Sequence, residues 1–177
     1  VSQHFNFDGL ENQMEGQFRP GHYDGVGTVV KRLFEIVQPT RAYFGEKDFQ
    51  QLQIVKKLVQ KLKMPITIIG CPIHRESNGL AMSSRNERLS ESEKKEAAIL
   101  YKTLKQSKAK FKTESASAVT NWVSETFDKI PNIKLEYFQI ADENTLLPCL
   151  RKVENKKYRA FIAVFINNIR LIDTIAL

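Results

Sequence analysis

At 177 residues, with 42% apolar and 27% charged side chains, the chain can bury one core or two small ones and has an ordinary soluble composition. No apolar run approaches the roughly 20 residues of a membrane span, and the first residues lack the basic and apolar regions of a signal peptide. A formal charge of +7 and a pI near 9.4 favour anionic partners, without choosing between nucleic acid and a nucleotide or small carboxylate.

Cys71 and Cys149 lie far apart and near no ligand-spaced histidine. That argues against a disulfide scaffold or a zinc site and fits a reducing cytoplasm. The chain opens on Val1, not Met, so residues are expected upstream. From Val1 to Gly25 the residues Phe5, Phe7, Leu10 and Met14 keep no sustained period, which predicts a loop with a few anchors. Arg19-Pro20-Gly21-His22 reads as a turn carrying two anion ligands. Asp24 is the expected cap of the next helix. In that helix Val26, Val29, Val30, Leu33, Phe34 and Val37 make one apolar face, and Pro39 ends it.

Arg41 to Phe44 is a strand candidate that stops at Gly45. A second helix is expected from about Asp48, with Phe49, Leu52, Val55, Leu58, Val59 and Leu62 inward, Asp48 and Gln51 forming a capping pair, and Pro65 closing it. Ile66 to Gly70 is a β-branched strand. This order predicts an α/β layer with parallel strands. Two parallel strands do not make a sheet that stands alone, so residues 1–73 read as the back half of a larger Rossmann-like nucleotide-binding domain.

After Cys71-Pro72-Ile73 the pattern changes. Ser90 and Glu93 predict a capping box for a helix through about Gln106, with the lysines of 102–112 on its solvated face and in a linker. A further helix carries Val119, Trp122, Val123, Phe127 and Ile130. Strands are predicted over 134–141, 158–166 and 169–173, the last two joined at Asn167-Asn168. Residues 74–177 therefore read as a small α+β lid domain with helices first and a three-stranded antiparallel sheet after.

Two stretches carry the chemistry. Gly45-Glu46-Lys47-Asp48 sits between a strand end and a helix start, where open α/β sheets bind ligands and where free N–H groups and a positive dipole end favour phosphate. Gly79 to Asn86 strings hydroxyls, a guanidinium and an amide on a tight loop, a donor set that suits phosphate oxygens. Being the next loop in order, it is expected to reach the same crevice and close over a triphosphate.

Taken with Arg19-Pro20-Gly21-His22 and the terminal Arg170-Leu171-Ile172-Asp173, these stretches closely resemble the pantothenate synthetase (pantoate–β-alanine ligase) family, in order and over essentially the whole chain. The resemblance implies an ATP-dependent ligase of the class I synthetase type. It joins pantoate to β-alanine with Mg-ATP through a pantoyl adenylate, releasing AMP and pyrophosphate, in a cytoplasmic homodimer. It implies that Gly45, Glu46, Lys47 and Asp48 line the ATP site, that the backbone of His74 meets the adenine, and that Met82, Ser83, Ser84 and Arg85 close over the phosphates. Lys47, Ser83, Ser84 and Arg85 are the implied catalytic groups. Gln51 is implied to bind pantoate, with Arg19 and His22 close to the pantoate and phosphate pocket. No protein-held metal is implied beyond the Mg2+ carried by ATP.

Two departures accompany the resemblance. Met82-Ser83-Ser84-Arg85 is similar to the Lys-Met-Ser-Lys-Ser loop of the wider superfamily, but Ala81 and Ser84 stand where its lysines would be. The family's His-x-Gly-His motif occurs nowhere in these 177 residues. The expectation is therefore a C-terminal portion of the enzyme with weak or no catalysis of its own. A nucleotidyltransferase of the same superfamily would need the same histidines and leaves Gln51 without a role. A basic RNA-binding module would need aromatics interleaved with Arg and Lys on an exposed surface, whereas Phe34, Phe49, Trp122 and Phe127 fall on apolar helix faces. Neither nucleic acid nor a membrane is expected as a partner.

Overall fold

The computed structural model describes residues 3–177. They fall into two compact units, the first ending at Pro72 and the second beginning at Ile73.

The first unit starts with more structure than its irregular apolar spacing predicts. A 3-10 turn over Leu10–Asn12 leads into a short helix α1, Met14–Phe18. Phe7, Leu10 and Met14 are all buried. These anchors work without a period because a buried amide holds the segment from outside. Gln50 donates from Nε2 to the carbonyls of Leu10 and Gln13, 2.8 Å each, and its Oε1 accepts the Glu15 N–H at 3.0 Å. Gly16 is required here, since a Cβ on it would lie 1.6 Å from the Glu11 carbonyl oxygen.

Helix α2, His22–Val37, begins earlier than its expected cap. The turn Arg19-Pro20-Gly21 feeds straight into it, with Gly21 at φ 76° and the His22 N–H donating to the Arg19 carbonyl at 3.0 Å. Asp24 is therefore inside the first turn and does not cap. Its carboxylate accepts the Phe5 N–H and pairs with His4 Nδ1, both at 2.9 Å. The apolar face of α2 also divides. Val26, Val30 and Phe34 pack inward, while Val29, Leu33, Ile36 and Val37 are 51–65% exposed.

Strands β1, Arg41–Gly45, and β2, Thr67–Cys71, pair in parallel, with α3, Phe49–Lys61, as their crossover. Phe34 of α2 and Val55 and Val59 of α3 form a core with Ala42, Phe44, Ile66 and Ile68. The α3 face is wider than expected, because Gln50 and Ile54 are buried too, and Leu62 lies past the helix end, 39% exposed. The expected Asp48–Gln51 capping pair does not form. Glu46–Asp48 is a 3-10 turn, and Asp48 makes no side-chain cap hydrogen bond.

In the second unit Ser90 and Glu93 form the expected capping box at the start of α4, Glu91–Ala97. The single expected helix breaks at Ala98 and resumes as α5, Ile99–Phe111, so the lysine-rich residues 102–111 are helical and not linker. Their exposed side alternates with buried Thr103, Leu104 and Ser107. Helix α6, Ala116–Phe127, is capped by Ser115, whose hydroxyl accepts the Ala118 N–H. Trp122 packs at the margin of the core, and Phe127 is inside it.

Strands β3, Ile133–Asp142, β4, Tyr158–Ile166, and β5, Ile169–Ala176, form an antiparallel sheet in the order β3-β4-β5. Asn167-Asn168 makes the tight β4–β5 turn, with Ile166 opposite Ile169. Nearly all of β4, the central strand, is buried. The expected fold class holds: a parallel-strand α/β layer, then a small α+β unit with a three-stranded antiparallel sheet. Among the described residues no helix is long and apolar enough to cross a membrane.

Candidate functional site

In the first unit, Gly45-Glu46-Lys47-Asp48 leaves the C-terminal end of β1 and enters α3, the strand-to-helix position read from the sequence. Lys47 Nζ lies 3.9 Å from the Asp48 carboxylate, with the Lys47 side chain 19% exposed and that of Asp48 50% exposed. The ammonium is thus partly exposed and only loosely paired with its neighbouring carboxylate. Gln51 follows in the first turn of α3, half-buried, beside the structural Gln50.

Arg19 and His22 come together as their spacing suggested. Arg19 Nη1 is 3.2 Å from His22 Nε2, and Glu15 is 3.8 Å from the same guanidinium nitrogen. Both residues line a cavity of about 250 Å³ with Glu11, Asn12, Tyr23 and the His4–Asp24 pair. Lys47 and Gln51 do not line this cavity. The hydrogen bond to Asp24 raises the His4 pKa above its ordinary 6.5, and the same bond holds Asp24 below 3.8.

In the second unit, residues 74–82 fold back on themselves. Arg75 bridges Ala81, the Met82 N–H donates to the His74 carbonyl at 3.0 Å, and Gly79 turns at φ 93°. Ser83 then caps the 3-10 helix Ser84–Arg88, its hydroxyl accepting the Arg85 N–H at 3.2 Å. Met82, Ser83 and Ser84 line a cavity of about 450 Å³ with Glu76, Asn86, Glu87 and Lys94. Arg85 is exposed and donates to the Arg170 carbonyl at 3.2 Å. His74 is exposed, and its carbonyl is used within the hairpin.

Residues 3–176 match the family Pantoate-beta-alanine ligase. The chain belongs to that family. It is 64% identical over its full length to the pantothenate synthetase of Flavobacterium psychrophilum and 57% identical to that of Christiangramia forsetii. It spans 63% and 62% of the length of those two relatives. Among solved structures, the pantothenate synthetase of Thermus thermophilus superposes with a TM-score of 0.87 at 39% identity, over 98% of this chain and 62% of that one. The pantoate-beta-alanine ligase of Francisella tularensis, complexed with beta-gamma ATP and beta-alanine, superposes at 0.69 with 30% identity, over 99% of this chain and 57% of that one.

Membership in the ligase family bears out the resemblance drawn from the motifs. Several residues around the candidate site escaped the sequence. Gln50 gave one signal, an amide on an otherwise apolar arc of α3. Glu15 beside Arg19 is an i,i+4 pair that helical spacing could have offered, whereas Arg75 depends on Asp173, 98 residues away, which local spacing does not show.

Proposed function

We propose that this chain carries the phosphate- and pantoate-handling part of an ATP-dependent pantoate–β-alanine ligase. The family match over residues 3–176 carries the reading, because it spans both phosphate-suited stretches. Lys47 offsets the repulsion between the pantoate carboxylate and the α-phosphate. A carboxylate oxygen forms the new bond to the α-phosphorus as the bond to the bridging oxygen of the β-phosphate breaks, and pyrophosphate leaves. Charge builds on the pyrophosphate oxygens, where Ser83, Ser84 and Arg85 supply fixed donors.

The resulting pantoyl adenylate is attacked by the amine of β-alanine. A C–N bond forms, AMP leaves, and the amine proton passes to solvent. Gly45, Glu46 and Asp48 shape the nucleotide side, His74 offers its backbone to the adenine, and Met82 closes over the phosphates with Ser83, Ser84 and Arg85. Gln51, Arg19 and His22 hold pantoate. The hydroxyl, amide and guanidinium donors of the second loop fit phosphate oxygens better than a metal, so Mg2+ belongs on the nucleotide, where it screens phosphate charge.

By the same resemblance the complete protein works as a cytoplasmic homodimer. Full turnover needs the His-x-Gly-His histidines, which this sequence does not contain. Calorimetric titration with Mg-ATP tests the reading. Saturable binding that Lys47→Ala weakens about 10- to 100-fold, as expected for a hydrogen bond to a charged group, supports it. Salt-steep retention of RNA without saturable ATP binding would replace it with the RNA-binding alternative.

A further inference from the structure

Arg75 and Asp173 belong to stretches that the proposed chemistry leaves unused, yet they make a two-point ion pair behind the second loop. Arg75 donates from Nη1 to Asp173 Oδ2 at 2.7 Å and from Nη2 to Oδ1 at 3.0 Å, a two-point fork on a carboxylate 2% exposed. The same guanidinium donates to the Gly79 carbonyl at 3.1 Å and lies 3.7 Å over the ring of Tyr101. One side chain thus ties the turn of the 74–82 hairpin to α5 and to β5. Gly79 completes the fit, since a Cβ there would meet Tyr101 Cδ1 at 2.7 Å.

From the hairpin the restraint passes to the loop. Asn86 donates from Nδ2 to Glu76 Oε1 at 2.7 Å and to the Ala81 carbonyl at 3.1 Å, and its N–H reaches the Ser83 carbonyl at 2.9 Å. Ser83, Ser84 and Arg85 are therefore held between two braced points, Ser83 half-buried and Ser84 and Arg85 exposed. A donor set aimed in advance loses less on binding than a mobile one.

We propose that Arg75, seated on Asp173 and Tyr101, is the positioning residue that preorganises the Ser83-Ser84-Arg85 loop for an anionic phosphate chain. The proposal rests on the phosphate role assigned to that loop. Lysine cannot replace Arg75, because a point charge offers neither the fork nor the flat face that stacks on Tyr101.

The test uses the 177-residue chain, with Mg-pyrophosphate as probe and amide hydrogen exchange as an independent readout. Arg75→Lys should speed exchange at Ser83–Arg88 while the β3-β4-β5 amides stay protected, and should weaken pyrophosphate binding about tenfold. Arg85→Ala should also weaken binding about tenfold in the parent chain, but less than about threefold in the Arg75→Lys background, because the guanidinium is no longer held in place. Unchanged loop exchange overturns the proposal, as does an Arg85 effect of equal size in both backgrounds. If the parent chain is folded and binds no pyrophosphate, the phosphate role of the loop falls and takes the proposal with it. That failure is distinguished by exchange that still responds to Arg75→Lys.

Discussion

The two units of the chain handle apolar surface in opposite ways. In the second, β4 is buried along nearly its whole length, and helices α5 and α6 supply Leu100, Leu104, Val119 and Val123 to one continuous core. In the first, β1 alternates between exposed and half-buried, Tyr43 is 62% exposed, and α2 leaves Val29, Leu33, Ile36 and Val37 open. The contrast follows from sheet type. A central antiparallel strand packed on helices closes its own core, whereas a parallel pair needs cover on both faces. Within these 177 residues, which span 63% of the length of a relative, the same apolar periodicity is core in one unit and uncovered in the other.

The largest effect should come from truncation inside the closed core. Ile162→Ala, at a side chain with no exposure, should cost about 2–5 kcal/mol in denaturant unfolding of the second unit. Leu33→Ala, at a side chain 51% exposed, should stay within about 0.5 kcal/mol. A Leu33 cost near that of Ile162 would break the comparison.

Gln50→Ala comes next. It removes three hydrogen bonds to the backbone of residues 10–15 and leaves buried groups unpaired. A cost of about 1–3 kcal/mol is expected, with faster hydrogen exchange confined to 10–18. Uniform loss of protection across α3 and the strands would show instead that the first unit unfolds as a whole.

The smallest effect is the pH response at the chain start. The His4–Asp24 pair needs a protonated imidazole and an ionised carboxylate. With the His4 pKa raised, its contribution is complete below 6.5 and disappears as pH rises through the higher folded value. With the Asp24 pKa lowered, its contribution is present above 3.8 and disappears as pH falls through the lower folded value. NMR titration of His4 should give a midpoint above 6.5 that Asp24→Asn returns to the ordinary value. A midpoint that ignores the substitution would remove Asp24 as the cause. His4 is exposed, so little change in overall stability should accompany it.

Local pattern alone was enough for the elements that obey it. The strand-helix-strand run of β1, α3 and β2, the Ser90–Glu93 capping box and the Asn167-Asn168 hairpin depend on residues close in the chain, and each could be read there. So could the two phosphate-suited stretches, because their residue types and their places between elements are sequence properties. Their roles rest on the proposed function.

Tertiary packing decided the rest. Asp24 reads as a cap until Phe5 and His4 arrive to take its carboxylate, and α2 starts earlier because the Pro20-Gly21 turn already supplies its entry. Residues 5–18 lack a period because Gln50, some 40 positions away, holds their backbone. Arg75 and Asp173 are 98 residues apart, and only the arrangement of the hairpin beside β5 makes them a pair. A hydrogen bond or ion pair of that span leaves no periodic trace, since its two partners are brought together by the packing of the elements that carry them.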